Sequence, residues 1–283
     1  MKIGTLADWF GKGLIEGIRE SEQCGAEGVQ VYAAGELNPA DITPDKLELL
    51  KRTLRDCSQE VTALCGEIGG YGFERAGDNP AKIGYLKSVV DLALELDCRV
   101  ITTHIGVIPE HTDDATYRTM LEAMKEIGAY ADQHGACVAI ETGPEAISRL
   151  CAFVDAGGKG VAVNYDPANI AMVTGDDHIE GVRTAGSRIV HTHAKDGVCL
   201  IPCDSAAYYH KFAEGGLEWA REAGNCREMP LGEGDVRWEE YLRALAEIGY
   251  DGYLTIEREA KNGAADIRAA VVFLRELLDR LGL

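Results

Sequence analysis

The sequence predicts a single-domain α/β protein whose strands close into a (β/α)8 barrel, and three observations support this prediction. The chain has 283 residues, which is an ordinary length for one such barrel. Short apolar runs alternate with amphipathic helical patterns along the whole sequence, which favours parallel strands joined by helices. The segment after the first strand lacks the glycine-rich phosphate turn that an open, doubly wound sheet would carry. We therefore expect one domain over residues 1–283.

Eight apolar or β-branched runs are predicted as strands. They are Lys2–Leu6, Gly28–Tyr32, Val61–Cys65, Arg99–His104, Cys137–Glu141, Val161–Asp166, Arg188–His193 and Tyr253–Glu257. Helical connections place consecutive strands parallel to one another. Eight parallel strands are the number that closes a barrel.

The segments between the predicted strands contain helices with one apolar face, because apolar residues recur there at spacings of three and four. The clearest stripes are Ile83, Leu86, Val90 and Leu94; Tyr117, Met120, Met124 and Ile127; Trp238, Tyr241, Leu242, Leu245 and Ile248; and Ile267, Val271, Leu274, Leu278 and Leu281. Two polar residues are predicted to cap helix N-termini, Thr43 ahead of Pro44 and Asp235 ahead of the Trp238 stripe.

One step between strands is much longer than its neighbours. His193 and Glu257, which end the seventh and eighth predicted strands, lie more than twice as far apart as the ends of the preceding pairs. The excess predicts an insertion at about 197–230, at the C-terminal face where barrels carry their active-site loops. It contains Tyr208, Phe212 and Trp219. Two interpretations stay open: a surface excursion with its own short helix, or a lid or subunit contact.

The composition restricts the classes of partner. The formal net charge of −19 repels phosphate backbones and anionic lipid surfaces, so we expect neither nucleic acid nor a membrane as partner. A run of eighteen apolar residues is absent, and the N-terminal segment reads as a strand rather than a signal peptide. The nine cysteines are scattered without a CxxC pair, which is typical of a reducing compartment and predicts a cytoplasmic protein.

Predicted strands five to eight each end in a residue of a metal-binding type. These residues are Glu141, Asp166, His193 and Glu257. A charged group that ends an apolar strand is costly to bury unless it is paired or bound to a metal. Because the carboxyl ends of barrel strands meet at one mouth, we expect the four side chains to converge. Three carboxylates and one imidazole suit a divalent Mn, Mg, Co or Zn ion with open positions for water or substrate.

Each of these residues has an ordinary structural role when it is taken alone. Asp166 before Pro167 resembles a turn residue, and a lone histidine is more often structural than a ligand. The recurrence at four successive strand ends is what favours a metal site. A thiolate zinc site at Cys199 and Cys203 is a weaker alternative, because it would need further cysteine ligands.

The alternation of side chains along a strand predicts a polar layer one step beneath the strand ends. If the strand-end residues point into the barrel, so do the residues two positions before them. The predicted inward residues of this layer are Thr102, Asn164, His191 and Thr255. Such a layer would orient metal ligands by hydrogen bonds.

At these motifs the sequence resembles the sugar phosphate isomerase/epimerase superfamily, the xylose isomerase-like TIM barrels, over nearly its whole length. The most specific segments are Glu141-Thr, Asn164-Tyr-Asp166-Pro-Ala-Asn169, His191-Thr-His193-Ala-Lys195-Asp196, Pro230-Leu-Gly232-Glu-Gly234-Asp-Val-Arg-Trp238 and Ile256-Glu257.

The resemblance implies roles for these residues. The implied ligands of a divalent metal are Glu141, Asp166, His193 and Glu257. The two glutamates among them are also implied to act as the acid/base pair. The resemblance also implies that His104 faces the substrate. Asn169, Lys195 and Arg258 are the further residues expected to contact it.

The chemistry implied by the resemblance is proton transfer through a metal-stabilised enediolate of a small sugar or sugar phosphate, as in an isomerase or epimerase.

Three positions depart from the hexulose 3-epimerases of the family. Asn169 stands where they have histidine, Lys195-Asp196 where they tend to have Ser-Glu, and Cys199 where they have arginine. The departures leave an alternative open, a keto-sugar or keto-inositol dehydratase or β-eliminating lyase in which Lys195 protonates the leaving hydroxyl.

Two further classes are disfavoured. The DNA-repair branch of the superfamily needs a three-metal site, whereas the chain carries a strongly negative charge and few spare histidines and carboxylates. A non-catalytic sugar-binding barrel would not need both Glu141 and Glu257. A small carbohydrate is therefore the expected partner, and a homo-oligomer is left open.

Overall fold

The computed structural model describes residues 1–260 and 263–283. The ten strands in these ranges are β1 (Lys2–Leu6), β2 (Gly28–Tyr32), β3 (Glu60–Cys65), β4 (Val100–Thr103), β5 (Cys137–Glu141), β6 (Val161–Tyr165), β7 (Ile189–Ala194), β8 (Asp196–Cys199), β9 (Cys226–Met229) and β10 (Tyr253–Ile256). Eight of them close a parallel barrel in the order β1-β10-β7-β6-β5-β4-β3-β2. The predicted (β/α)8 barrel is confirmed, and each predicted strand matches an observed one to within one residue at either end.

Helices follow the barrel strands and cover the outside of the barrel. They are α1 (Leu14–Gln23), α2 (Pro44–Asp56), α3 (Asn79–Glu95), α4 (Ala115–Gln133), α5 (Ile147–Gly157), α6 (Pro167–Asn169), α7 (His178–Ala185), α8 (Ser205–Ala223), α9 (Trp238–Glu247) and α10 (Gly263–Leu281). In α4 the predicted stripe of Tyr117, Met120, Met124 and Ile127 is buried. Among the helices that the structure describes, none combines the length and apolar character needed to cross a bilayer.

One of the two predicted helix caps is confirmed and the other is wrong. The Thr43 side chain accepts a hydrogen bond from the Lys46 amide at the start of α2. Helix α9 instead starts after Arg237, which makes no side-chain capping bond. Asp235 is drawn towards β8, because its amide donates to the Gly197 carbonyl at 2.9 Å.

Strand register brings the functional residues to one level of the barrel. Glu141 pairs with Asn164 across β5 and β6, and His193 pairs with Thr255 across β7 and β10. The ends of these four neighbouring strands therefore face the same mouth. This register explains why the four predicted positions converge, as the sequence led us to expect.

The segment predicted as an insertion contains β8, α8 and β9. Strands β8 and β9 pair antiparallel as a separate two-stranded sheet, with Cys199 opposite Cys226. Helix α8 lies between them and is interrupted at Gly216, whose φ of 63° is outside the helical range. The hairpin therefore lies outside the barrel wall and presents a kinked helix at its C-terminal face.

Buried Asp196 anchors the loop that follows this hairpin. Its carboxylate accepts hydrogen bonds of 2.8–3.2 Å from the amides of Gly232, Gly234 and Val236 and from Trp238 Nε1. A Cβ atom on Gly234 would collide with this carboxylate. Gly234 is thus needed for close approach of the backbone to Asp196.

Candidate metal centre

The four predicted metal ligands lie together at the carboxyl end of the barrel. One ligand atom from each of Glu141, Asp166, His193 and Glu257 lies within 4.8 Å of the others, and all four residues are buried. His193 Nδ1 is 3.4 Å from Glu141 Oε1, 3.4 Å from Glu257 Oε2 and 3.8 Å from Asp166 Oδ2. Within the described residues this is the one cluster suited to a metal, so the thiolate zinc alternative has no support.

Two atoms of the cluster are buried without a hydrogen-bond partner among the described residues, Asp166 Oδ2 and His193 Nδ1. The other polar atoms of these side chains are satisfied. Asp166 Oδ1 accepts from the amides of Ala168 at 2.8 Å and Asn169 at 3.2 Å. His193 Nε2 lies 3.0 Å from Gln30 Oε1. In the neutral ring that metal binding requires, this contact would hold the proton on Nε2 and leave the lone pair of Nδ1 free. A divalent cation would satisfy both orphaned atoms, so the donor set fits a metal.

Two asparagines hold the carboxylate of Glu141 in place. Asn164 Nδ2 donates to Oε2 at 3.1 Å, and Asn169 Nδ2 donates to Oε1 at 3.0 Å and to the Thr142 carbonyl at 3.1 Å. Asn169 was predicted to bind substrate, and in the structure it orients a candidate ligand. Its contact with substrate stays a prediction.

The polar layer beneath the cluster forms a continuous hydrogen-bond network. His191 Nδ1 donates to Asn164 Oδ1 at 2.9 Å, and its Nε2 accepts from Thr255 Oγ1 at 3.0 Å. Burial lowers the pKa of His191 well below its ordinary value, which keeps the ring neutral. Gln30 Nε2 donates to Thr102 Oγ1 at 3.0 Å, so Gln30 links this layer to the metal cluster.

Lys195 is paired with the candidate ligand Glu257. Its Nζ donates to Glu257 Oε2 at 2.9 Å and lies 3.5 Å from Glu259 Oε1. Burial alone would lower the pKa of Lys195. The carboxylates of Glu257 and Glu259 outweigh this effect and raise the pKa to well above its ordinary value. Burial likewise raises the pKa of Glu257, and the positive charges of Lys195 and His193 more than offset this and lower it. Both partners are therefore charged.

His104 lies at the cavity floor beside the cluster, with 42% of its side chain exposed. Its Nδ1 is 3.0 Å from Glu67 Oε2, and its Nε2 is 3.6 Å from Glu141 Oε1. Desolvation lowers the pKa of His104, but the carboxylates of Glu141 and Glu67 raise it to about 10. An imidazolium therefore faces the cavity next to a candidate ligand.

The guanidinium of Arg258 is occupied by protein carboxylates. It donates to Glu228 Oε1 at 2.7 Å and to Asp266 Oδ2 at 2.8 Å. These bonds connect the end of β10 to β9 and α10. Arg258 also lines the cavity, and its contact with substrate stays a prediction.

A cavity of about 950 Å³ opens above the metal cluster. Polar residues form its inner end, and residues of α8 form part of its outer wall. The inner residues include Glu141, His193, Glu257, His104, Lys195 and Asn169. The position of α8 over this cavity supports the lid interpretation of the insertion.

Sequence reasoning missed several polar residues of the site, among them Gln30, Glu67 and Glu145. Gln30 stands at an inward position between Val29 and Val31 of β2, and a polar residue inside an apolar strand was a usable signal. Glu145 lines the cavity and is buried, and burial raises its pKa to about 7. Glu67 and Glu145 lie in loops, where spacing carries no directional information.

The model of the xylose isomerase-like TIM barrel family matches residues 18–277 of the chain. The chain belongs to this family. An uncharacterized protein of Methanocaldococcus jannaschii is 23% identical over 187 residues, which cover 62% of this chain and 55% of that protein. The chain thus spans about half the length of the curated relatives it matches.

Several solved structures share the fold over nearly the whole chain. A xylose isomerase domain protein from Planctomyces limnophilus is 25% identical with a TM-score of 0.80, covering 99% of this chain and 98% of that one. A probable 3-DHS dehydratase involved in petrobactin synthesis from Bacillus anthracis is 19% identical, with a TM-score of 0.75 and coverage of 97% and 99%. D-Psicose 3-epimerase with D-tagatose from Clostridium cellulolyticum H10 is 16% identical, with a TM-score of 0.74 and coverage of 98% and 99%.

Proposed function

We propose that the protein is a metal-dependent isomerase or epimerase of a small sugar or sugar phosphate, with Glu141 and Glu257 as its acid/base pair. The observation that carries this proposal is the pair of buried, unpartnered atoms Asp166 Oδ2 and His193 Nδ1 next to the two glutamates. A divalent cation held by the four side chains would polarise the carbonyl and neighbouring hydroxyl of a sugar and acidify the adjacent C–H group. Mn, Mg, Co and Zn all suit such ligands.

In this proposal the two glutamates act from different sides of the substrate. Glu141 ends β5 and Glu257 follows β10, and β6 and β7 separate these strands in the barrel wall. A carbon held between them can lose its proton to one carboxylate and receive a proton from the other, which inverts that carbon. Return of the proton to the neighbouring carbon isomerises the sugar instead.

The cationic groups of the inner cavity are suited to bind the oxygens of such a substrate. His104 presents an imidazolium beside Glu141, and Lys195 presents an ammonium beside Glu257. Each can donate a hydrogen bond to a hydroxyl, carbonyl or phosphate oxygen, and charged donors make the stronger bonds. In this proposal they orient the reacting carbon between the carboxylates.

A second function is favoured by the 2.9 Å contact between Lys195 Nζ and Glu257 Oε2. When Glu257 takes a proton from carbon, the neighbouring ammonium can protonate an oxygen that leaves from the next carbon. The result is dehydration or β-elimination from a keto-sugar or keto-inositol. A probable dehydratase and an epimerase share this fold with TM-scores of 0.75 and 0.74, so fold does not choose between the reactions.

The test combines metal analysis with solvent isotope exchange. The purified protein is dialysed, its bound metal is measured, and it is incubated in D2O with a panel of ketoses and keto-inositols. Deuterium at a single carbon of the recovered sugar and of its epimer or isomer supports isomerisation or epimerisation, whereas an ultraviolet-absorbing enone supports elimination. Failure to bind any divalent metal, or exchange that survives chelation, would contradict the proposal.

A further inference from the structure

Helix α8 turns an apolar face towards the cavity instead of towards the barrel. Five apolar residues of α8 line the cavity, Tyr209, Phe212 and Ala213 before the kink at Gly216 and Leu217 and Ala220 after it; we call these five the apolar stripe of α8. The polar residues His210 and Arg221 of α8 line the cavity beside them. Of the residues that the structure describes in α8, only Ala220 is buried, and Phe212 is 39% exposed. Helices of globular proteins normally bury such a stripe against other elements. This stripe therefore lacks the partner that folding usually supplies.

Other apolar side chains line the same cavity from different elements. Met172 and Val173 come from the π-helical segment Ile170–Thr174 that follows α6, and Leu200 follows β8. Leu200 is 48% exposed. Its neighbour Ile201 is 57% exposed but is outside the set of residues that line the cavity.

The cavity is larger than the proposed reaction on a small sugar requires. Its 950 Å³ corresponds to the volume of roughly thirty water molecules. A monosaccharide at the metal cluster would occupy the polar inner end and leave the apolar outer part in water. Exposed apolar surface of this kind marks a ligand-binding or interaction site.

We propose that the apolar part of the cavity is a subsite for an aryl group carried by the carbohydrate substrate. This inference rests on the proposed function for the inner end of the cavity and names the substrate class, an aryl-substituted sugar. The apolar stripe of α8 is continuous with the inner cavity, so a substituent on a bound sugar reaches it without leaving the cavity.

The chemistry of the walls favours a flat aromatic group over a flexible alkyl chain. Tyr208 packs against Tyr209 and Trp219 with ring centroids 6.2 and 5.2 Å apart, so aromatic surface is already assembled on α8. Aromatic rings attract further rings in offset or edge-to-face contact. The thioether of Met172 adds a sulfur that contacts aromatic rings favourably.

Binding of aryl and non-aryl probes tests the subsite separately from turnover. The Mn2+-loaded protein is titrated by calorimetry with phenyl and methyl glycosides of glucose, galactose and xylose, and with 4-methylumbelliferone as an aryl probe without a sugar. Phenyl glycosides are expected to bind at least about tenfold more tightly than their methyl counterparts, because one apolar ring is removed from water. Octyl glycosides should gain less than phenyl glycosides.

Leu200→Ser and Ile201→Ser, at neighbouring positions, provide a matched pair for this experiment. Leu200→Ser and Phe212→Ala should lose most of the phenyl advantage, whereas Ile201→Ser, an exposed apolar residue outside the lining, should retain it. Equal binding of phenyl and methyl glycosides, no binding of any aryl probe at millimolar concentration, or equal losses in Leu200→Ser and Ile201→Ser would each overturn the subsite.

Two further outcomes distinguish the aryl subsite from the proposed function and from a contact between subunits. If the aryl preference holds but no sugar exchanges deuterium, the subsite stands and the proposed function fails. If Phe212→Ala and Leu200→Ser leave aryl binding unchanged but convert an oligomer to a monomer in sedimentation, the apolar stripe is an interface between copies of the chain and the subsite is overturned.

Discussion

Helix α4 and the kinked α8 each span 19 residues, yet they use their apolar residues in different ways. Helix α4 buries seven residues, among them Tyr117, Met120 and Ile127, whereas α8 buries only Ala220 among its described residues. The stripe of α4 packs between the barrel and its neighbouring helices. The stripe of α8 faces the cavity above the metal cluster.

The difference separates positions that folding of the core constrains from positions that, if the proposed subsite is correct, a ligand constrains. Removing an apolar side chain from α4 leaves a void in a close-packed core. Removing an apolar side chain from α8 leaves no such void, because the cavity wall that it belongs to is already in contact with water. The variants below test this division between the barrel and its insertion, starting with the largest expected effect.

The largest effect is expected at the metal cluster, where Glu257→Gln removes a ligand charge and the proposed proton acceptor. The variant should lower kcat by about 10³-fold or more on the substrate identified by isotope exchange. Glu218→Gln on α8 makes the same chemical change at an exposed position and should leave the rate unchanged. A near-normal rate for Glu257→Gln would place the acid/base group elsewhere.

The second prediction compares the two helices directly through the free energy of unfolding. Met120 is fully buried in α4, so Met120→Ala should cost about 2–5 kcal/mol. Phe212→Ala in α8 removes a larger side chain but should cost less than about 1 kcal/mol, because Phe212 is 39% exposed and packs against little of the core. Urea denaturation of both variants measures the two values, and equal losses would contradict the division.

The third prediction concerns the pH dependence of stability at the barrel rim. Burial raises the pKa of Glu145 to about 7 in the folded state, against about 4.3 in an unfolded chain. Between these values the folded protein retains a proton that the unfolded chain releases, so stability falls as pH rises, by up to about 1.4 kcal/mol per pH unit. Below about pH 4.3 the contribution is fully present.

Substitution by the neutral isostere should remove this slope. Unfolding free energies of Glu145→Gln and the native chain, measured from about pH 5 to 8, should diverge in favour of the variant as pH rises. Glu276→Gln, at an exposed position of α10, is the control and should track the native chain. Parallel curves for Glu145→Gln would show that Glu145 ionises normally in the folded protein.

The barrel and the four clustered strand ends were predictable because local patterns determine them. Apolar runs located every barrel strand to within one residue at each end, and parallel strands necessarily carry their carboxyl ends to one mouth. The predicted cap at Asp235 was wrong because a contact with Gly197, distant in sequence, draws this residue away from α9. A contact between residues so distant in sequence cannot be predicted from the local pattern.

The hairpin β8–β9 was missed for a related reason. Its strands, Asp-Gly-Val-Cys and Cys-Arg-Glu-Met, are four residues long and lack the alternation that marks a half-buried strand. The hairpin is held in addition by Asp196 of β8, whose carboxylate accepts from the amides of Gly232 and Gly234, and these contacts join residues that are distant in sequence. Likewise, Glu67 reaches His104 only because two βα loops meet above the barrel.

The smallest predicted effects come from the helix caps and sharpen the comparison further. Thr43 caps α2 in the barrel, and Asp204 caps α8 by accepting from the Ala207 amide at 2.7 Å. Thr43→Ala should lower the global free energy of unfolding by about 0.5–1 kcal/mol, because α2 unfolds with the barrel. Asp204→Ala should leave global unfolding unchanged and instead speed amide hydrogen exchange within α8, since elements with few buried contacts open locally. If Asp204→Ala lowered the global free energy of unfolding as much as Thr43→Ala does, α8 would unfold together with the barrel. The cavity-facing stripe of α8 would then be under the same folding constraint as the stripe of α4.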